Sequence, residues 1–173
     1  MPTGWATPAA ELGQRRRELD ALYRGEGVDP ATMKLGFLSY CHVTDDKAEA
    51  RRYVECARFQ NRLSQALRRR KELVHDDFWV EEAPFEGETS LDELLAVVPV
   101  GDPHVVAERM VELLREVKPY HLALYCQLGD LPKRLALRSM ERFMAEVAPP
   151  IEKAFGAPLA EINAPIPSAL AAG

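Results

Sequence analysis

The sequence has no apolar run long enough to cross a membrane. A membrane-spanning helix needs about 18 consecutive apolar residues, and no run in the 173 residues approaches that length. The first residues, Met1 to Trp5, carry neither a basic leader nor the apolar core of a signal peptide. We therefore expect a cytoplasmic protein with no membrane partner.

The sequence also lacks the spacings typical of bound metals and nucleotides. Its three cysteines, Cys41, Cys56 and Cys126, are far apart, which favours reduced and buried thiols over a zinc site or a disulfide framework. Neither a Gly-x-Gly-x-x-Gly motif nor a P-loop occurs. His75-Asp76-Asp77 contains metal-ligand side chains, but three consecutive loop residues rarely complete a site, so we expect no metal.

An excess of positive charge is absent as well. Lys and Arg number 22 against 27 Asp and Glu, a net charge of −5, which argues against a nucleic-acid partner. The one basic run, Arg68 to Lys71, falls at the predicted end of a helix, where it suits the negative end of the helix dipole. With 47% apolar and 28% charged residues, the chain has the composition of one globular domain.

What is present is an alternation of helices and strands. Apolar residues at helical spacing predict a helix from Thr7-Pro8, a long helix after Thr44-Asp45-Asp46, a short capped helix at Ser90 and a helix after Asp102-Pro103. A last helix is predicted over 132–147, interrupted by Pro149-Pro150, with a further turn left open at Ile151 to Phe155. The two short apolar runs at 34–43 and 120–126 are typical of strands. This order predicts parallel strands joined by right-handed crossovers.

The predicted core lies along three of these helices. Its members recur three or four residues apart: Tyr53, Cys56, Phe59, Leu63 and Leu67; Val106, Met110, Leu113, Leu114 and Val117; and Leu135, Met140, Phe143, Met144 and Val147. One domain should therefore span 1–155, with an irregular excursion with a short helix at 72–100. The Ala/Pro-rich segment 156–173 predicts a disordered tail.

Two strands cannot form a complete parallel sheet. Such a sheet needs both faces covered and its edges paired, and two strands leave most of their backbone groups without partners. The pattern therefore indicates part of a sheet, which another chain or residues beyond this sequence would complete.

The chemistry-bearing residues follow the two strands. In parallel α/β folds, sites lie at the carboxyl ends of the strands, which here are Cys41-His42 and Tyr125 to Asp130. Gly129 lets backbone approach a ligand, and Gln127 both donates and accepts hydrogen bonds. The alternative is that Gly129 and Asp130 only form a tight turn and cap a helix. Cys41 and His42 point to opposite strand faces, so they do not form a thiol–base pair.

These segments resemble one known family. Gly101-Asp102-Pro103, Gly129-Asp130-Leu131-Pro132, Ser139 to Phe143 and Glu146 to Pro149 are similar, in order and spacing, to the carboxyl-terminal part of bacterial luciferase-like, flavin-dependent monooxygenases. The stretch FLSYCHVTDDKAEARRYV resembles the preceding strand and helix of that family. The likeness spans roughly Pro8 to Phe155.

The resemblance implies a (β/α)8 TIM barrel that holds reduced flavin mononucleotide (FMN), or in some branches a deazaflavin. It implies oxidation of a small organic substrate by dioxygen through a flavin C4a-peroxide. By position, it places Tyr40, His42, Tyr125, Gln127 and Gly129 near the flavin or substrate, assigns no catalytic residue, and makes the excursion at Phe78-Trp79-Val80 a lid over the substrate.

The chain is too short for the whole barrel, which takes about 250 residues and eight strands. It resembles only the last two β/α units with a preceding helix: an incomplete, helix-rich barrel. Three hypotheses remain open. The chain is the carboxyl-terminal part of such an enzyme, inactive and without tightly bound flavin when alone; or it is one subunit of a split barrel with a complementary half; or it is a non-catalytic helical module that uses the exposed face for homo-oligomerisation.

Overall fold

The computed structural model describes residues 6–69, 73–75 and 79–163, and between 69 and 81 it describes the backbone alone. The chain is an α/β structure in which helices predominate. Its elements are α1 (Ala9–Gly25), β1 (Gly36–Tyr40), β2 (His42–Val43), α2 (Lys47–Arg69), β3 (Leu73–His75), β4 (Trp79–Glu81), α3 (Leu91–Val97), β5 (Val100–Gly101), α4 (Pro103–Val117), β6 (His121–Tyr125), α5 (Lys133–Arg142), a π-helical turn (Phe143–Val147) and α6 (Ala148–Phe155), with 3-10 turns at Pro30–Thr32 and Leu159–Glu161.

The two predicted strands form a parallel pair. β1 lies beside β6 in a register that runs from Gly36 opposite His121 to Tyr40 opposite Tyr125. β2 continues the line of β1 and pairs in parallel with the short β5, because the amides of His42 and Thr44 donate to carbonyls of the β5 segment at 3.0 and 2.8 Å. The predicted parallel strands are confirmed, whereas the short strand β5 was not predicted.

One face of the β1–β6 pair is covered by helices. Phe37 and Leu122 pack against α1 and α4, and Leu124 packs against α4 and the π-helical turn. The opposite face is bare along the first part of both strands: Gly36, His121 and Ala123 are exposed, and Leu38 is 37% exposed. Parallel strands are ordinarily covered on both faces, whereas the described residues cover only one face of this pair.

Helix α4 forms the centre of the core as its periodicity predicts. Val106, Met110, Leu113, Leu114 and Val117 are all buried. The helix starts where the sequence indicates, since the Asp102 carboxylate accepts from the amides of the residues at 104 and 105 with proline at the first helical position. The predicted capping box between Ser90 and Glu93 is also present at the start of α3.

The long helix α2 begins later than its first hydroxyl suggests. The Asp46 carboxylate accepts from the amides of Ala48 and Glu49 at 2.8 and 3.2 Å, and Thr44 accepts from the amide of Asp46. Asp46 therefore caps the helix, and Thr44 shapes the turn before it.

The helix does not break at Pro149-Pro150 as predicted, and the further turn considered for Ile151 to Phe155 is present as part of α6. A proline inside a helix lacks an N–H and its ring clashes with the carbonyl four residues earlier. Here the turn at Phe143–Val147 widens to π geometry, with the Ala148 amide donating to the carbonyl of Phe143, five residues earlier. Both prolines then fall in the first turn of α6, where the missing amides need no helical partner.

The predicted core positions on two helices need correction. Met140 and Met144 are 50% and 63% exposed, and Phe59 and Leu67 are also exposed. On α5 and its continuation the buried line is instead Ala136, Ser139, Phe143 and Val147. Two small residues let the helix approach the sheet closely, and hydrophobic periodicity does not reveal such a contact.

The chain continues to pack beyond residue 155. Ile162 is buried among core residues, and the Asn163 amide donates to the carbonyl of Leu114 at 3.0 Å. The expected disordered tail therefore does not begin at 156, and 164–173 lie outside the described residues. The excursion holds an antiparallel hairpin, β3 with β4; of the predicted lid, Phe78 lies outside the described residues and positions 79 and 80 belong to β4. In the described part of the chain no helix has the length and apolarity to cross a bilayer.

Replacing Met110 with alanine should destabilise the fold far more than the same change at Met144. Met110 is fully buried and Met144 is not, so Met110→Ala leaves a cavity and should lower the free energy of unfolding by about 2–4 kcal/mol. Met144→Ala should change it by less than about 0.5 kcal/mol. Urea unfolding followed by circular dichroism measures both, and equal effects would contradict the packing described.

Candidate functional site

A buried phenol closes the gap where β1 and β6 stop pairing. Tyr53 of α2 is fully buried. Its hydroxyl accepts from the Cys41 amide at 2.9 Å and donates to the carbonyl of Tyr125. Burial, reinforced by the neighbouring Cys41, raises the pKa of Tyr53 far above its usual range. The phenol is therefore neutral, so its oxygen accepts one hydrogen bond while its O–H donates the other.

A second side-chain hydroxyl, that of Ser139 on α5, hydrogen-bonds the backbone just beyond the end of β1. The Val43 amide donates to Oγ of Ser139 at 2.8 Å, and Ser139 on α5 is buried. Successive strand amides point to opposite edges, so Cys41 and Val43 face away from β5. Each therefore finds a side-chain oxygen where a neighbouring strand would otherwise lie.

Beside Tyr53 lies a buried histidine–carboxylate pair. The His42 ring stacks on the Tyr53 ring, with centroids 4.8 Å apart. Its Nε2 is 2.9 Å from a Glu49 oxygen, and Arg138 donates to the other Glu49 oxygen. The Nδ1 atom is buried, and no described residue hydrogen-bonds to it. Nε2 therefore carries the proton toward Glu49, and an N–H at Nδ1 would find no acceptor among the described residues.

The charges of this pair follow from these contacts. Burial lowers the pKa of His42 despite its hydrogen bond to Glu49, so the ring is neutral near pH 7. Burial opposes ionisation of Glu49, but hydrogen bonds from Arg138 and His42 hold its pKa below the usual range. The pair is thus a neutral imidazole that donates to a carboxylate.

The structure brings together two of the five predicted flavin contacts. Tyr40 and Tyr125 face each other across β1 and β6, half-buried, with ring centroids 5.7 Å apart in an edge-to-face arrangement. The Gln60 amide donates to the Tyr125 hydroxyl at 3.3 Å. Burial, and then the neighbouring Tyr125, raise the pKa of Tyr40. The pair forms an aromatic wall at the carboxyl end of the uncovered face.

The other three predicted contacts lie elsewhere. His42 is fully buried behind Tyr53, so it touches no open surface of this chain. Gln127 is on the exposed loop after β6, and its amide donates to the carbonyl of Leu131 at 2.7 Å. Gly129 is exposed with φ of +49°, where a Cβ would lie 3.5 Å from that of Cys56. Gly129 therefore forms a tight turn with Asp130, as the alternative interpretation predicted.

Asp130 plays a different part from the helix cap expected of it. Its carboxylate pairs with Arg52 and accepts from the Cys56 thiol at 3.4 Å, and α5 begins after Pro132 with no side-chain cap. The turn after β6 is therefore anchored to α2. All three cysteines are buried and free, as predicted, and among the described side chains no three metal-ligand groups cluster.

Sequence reasoning missed Tyr53, Glu49 and Ser139. Tyr53 was assigned to an apolar stripe, although a buried tyrosine hydroxyl needs a hydrogen-bond partner. Ser139 was noted only within a motif. The signal for both was a polar atom at a helix position that the periodicity directs inward.

Removing the Tyr53 hydroxyl should weaken the fold. Tyr53→Phe leaves a buried amide and a buried carbonyl unpaired, so the free energy of unfolding should fall by about 1–3 kcal/mol. Tyr23→Phe is the matched control, because the Tyr23 hydroxyl has no hydrogen-bond partner in the described part of the chain. Chemical denaturation measures both; a Tyr53→Phe protein as stable as the control would refute the bridge.

His42 should make the protein sensitive to mild acid. Its folded-state pKa is below the unfolded value of about 6.5, so below pH 6.5 the unfolded chain binds a proton that the folded chain rejects. Stability should fall as pH drops through this window, by up to about 1.4 kcal/mol per pH unit. Glu49 contributes in the same direction only below about pH 4.5.

Urea unfolding between pH 7.5 and 5.5 measures this effect as the slope of the free energy of unfolding against pH. His42→Gln should flatten the slope, whereas His104→Gln should leave it unchanged, because His104 is 81% exposed. A steep slope that survives in His42→Gln would show that another group titrates.

Comparison with known proteins gives one informative likeness. No family model matches the chain. Over 145 residues it is 32% identical to an uncharacterized protein, y4vJ, of Sinorhizobium fredii (strain NBRC 101917 / NGR234). The match covers 84% of this chain and 41% of that relative, so the chain spans about two fifths of the length of the curated relative it resembles.

Proposed function

We propose that this chain is the carboxyl-terminal part of a flavin-dependent, luciferase-like monooxygenase whose barrel is completed by residues outside this sequence. The observation that carries the proposal is the bare face of the β1–β6 pair, which ends at the Tyr40–Tyr125 wall. An incomplete (β/α)8 barrel accounts for both features, and the motif resemblance supplies the class.

The bare face has the properties of a barrel interior. The facing pairs Gly36 with His121 and Leu38 with Ala123 point away from the helices, and in a complete barrel other strands would cover them with inward-pointing side chains. The outer edges also require partners. In the described ranges, no strand pairs with the second edge of β1 along Gly36–Tyr40 or with that of β6.

The relative's length supports the same proposal. More than half of y4vJ has no counterpart in this chain, which leaves room for further β/α units.

The residues present fit one wall of a flavin site. Tyr40 and Tyr125 offer aromatic surface and two hydroxyls at the strand ends, where ligands of α/β barrels bind. Gln127 and Gly129 lie on the exposed loop that follows Tyr125 in the chain. His42 does not fit as a contact, because it is buried behind Tyr53. If bound here, reduced FMN would supply the electrons that activate dioxygen toward a small organic substrate, whereas a reduced deazaflavin would supply a hydride.

The tasks left to this chain are positional. The two tyrosines exclude water from one end of the face, and Gln60 fixes the Tyr125 hydroxyl. Tyr53 and Ser139 hold the strand end that carries Tyr40. One wall alone is a poor cradle, so the isolated chain should bind flavin weakly and be inactive.

A non-catalytic module is the second candidate. Two exposed regions offer apolar surface for a second copy of the chain. One is Leu38 on the bare face, and the other comprises Leu137 and Met140 on α5 and Met144 in the π-helical turn. A non-catalytic module requires no flavin site, so flavin binding distinguishes it from the proposed monooxygenase.

A chimera tests the proposal. In y4vJ, the 145 matched residues are replaced by their counterparts from this chain. We expect both the chimera and unmodified y4vJ to bind reduced FMN or a deazaflavin in equimolar amount, measured by absorbance after gel filtration, and the isolated chain to bind none tightly. If unmodified y4vJ binds neither flavin, the proposed class is wrong.

Glutamate substitutions at two similarly exposed leucines test whether the bare face lies inside a barrel. Leu38 and Leu137 are exposed to similar extents, 37% and 47%, so glutamate at either should alter the stability of the isolated chain by less than about 0.5 kcal/mol. In the chimera, Leu38→Glu should abolish folding and flavin binding because it buries a charge, whereas Leu137→Glu should not. Equal tolerance of both changes would contradict a covered face.

A further inference from the structure

A cavity of about 450 Å³ lies between α2 and the turn at Gly129-Asp130. Its size is within the range of small-molecule sites. It opens beside the end of β6, on the side of the turn that faces α2. Its lining belongs to this chain, so ligand binding in this cavity does not depend on the proposed flavin.

The ionic groups around the cavity are paired, with one exception. Arg62 binds Glu82 at 2.8 Å and Glu88 at 2.5 Å. Arg52 binds Asp130. Glu55 lies 3.5 Å from Arg51.

Arg58 is the exception. It lines the cavity, and among the described residues no group hydrogen-bonds or ion-pairs with its side chain. A guanidinium without a counter-charge is a favourable partner for a carboxylate, which can accept from both of its terminal nitrogens.

The wall beside Arg58 is aromatic. Phe59 lines the cavity and is 43% exposed, although it lies on the stripe that the sequence directs inward. Gly129 adds no side chain to the opposite wall, which keeps the cavity open. One unpaired cation next to an uncovered ring is complementary to an anion that carries an apolar ring.

We propose that this cavity binds a small aromatic carboxylate, with Arg58 holding the carboxylate and Phe59 packing on the ring. The nearby charges limit the affinity. Glu82 and Glu88 share the single guanidinium of Arg62, which leaves one negative charge in excess on that wall. Weak, salt-sensitive binding is therefore expected.

Titration of the full chain with benzoate and with neutral benzamide tests the site, using chemical shifts of the α2 amides as the readout. Benzoate should bind saturably and at least about tenfold more tightly than benzamide, since charge-assisted hydrogen bonds to carboxylate are the stronger kind. Equal binding of the two probes, or no saturable benzoate binding, would overturn the proposal.

Variants assign the role to Arg58. Arg58→Gln should weaken benzoate binding about tenfold or more, and Arg58→Lys should restore only part of it because lysine lacks the bidentate fork. Arg134→Gln, at an exposed α5 arginine outside this cavity, should have no effect. Benzoate affinity unchanged in Arg58→Gln would refute the assignment.

A variant that is expected to bind benzoate more tightly tests the site independently of misfolding, because misfolding would only lower the affinity. Glu82→Gln removes the excess negative charge and should strengthen benzoate binding about two- to threefold at low ionic strength, with the gain lost in high salt. Weaker benzoate binding in this variant, with the fold intact by circular dichroism, would contradict the electrostatic argument.

Discussion

The Tyr53 hydroxyl is the interaction on which the strand ends depend. β1 and β6 separate after Tyr40 and Tyr125, and the phenol bonds both sides of that gap. Without it a buried amide and carbonyl would have no partner, which is unfavourable in a packed interior. By holding α2 against the strands, the same hydroxyl also places His42, Glu49 and the wall of the arginine-lined cavity.

The second constraint is the uncovered face. Helices α1 and α4 and the π-helical turn cover one side of the parallel pair, and the other side shows apolar and small side chains to solvent. Parallel strands are ordinarily covered on both faces, and this is why the proposals above supply a cover for the exposed one. A barrel interior and a surface for a second copy are the two covers proposed, and they differ in whether a flavin binds there.

Local patterns predicted most of the elements, and tertiary contacts decided where that failed. The caps at Ser90 and Asp102 and the stripe of α4 follow from short-range chemistry, so they were predictable. Met140 and Met144 were misplaced because the small residues Ala136 and Ser139 set the contact of α5. The two prolines after Val147 were misjudged because a π turn accommodates them. Of the candidate site, Tyr40 and Tyr125 were found together, whereas His42 is buried behind a ring whose partners lie 12 and 72 residues away.

The sequence by itself determined the alternation of helices and strands and the parallel pairing, because these depend on periodicity and on the order of the elements. Only the tertiary structure decided which polar atoms share a cavity, that Arg58 is left unpaired, and that Tyr53 and Ser139 satisfy the strand end. Those outcomes depend on distances between residues remote in the chain, and such distances are fixed only when the helices pack.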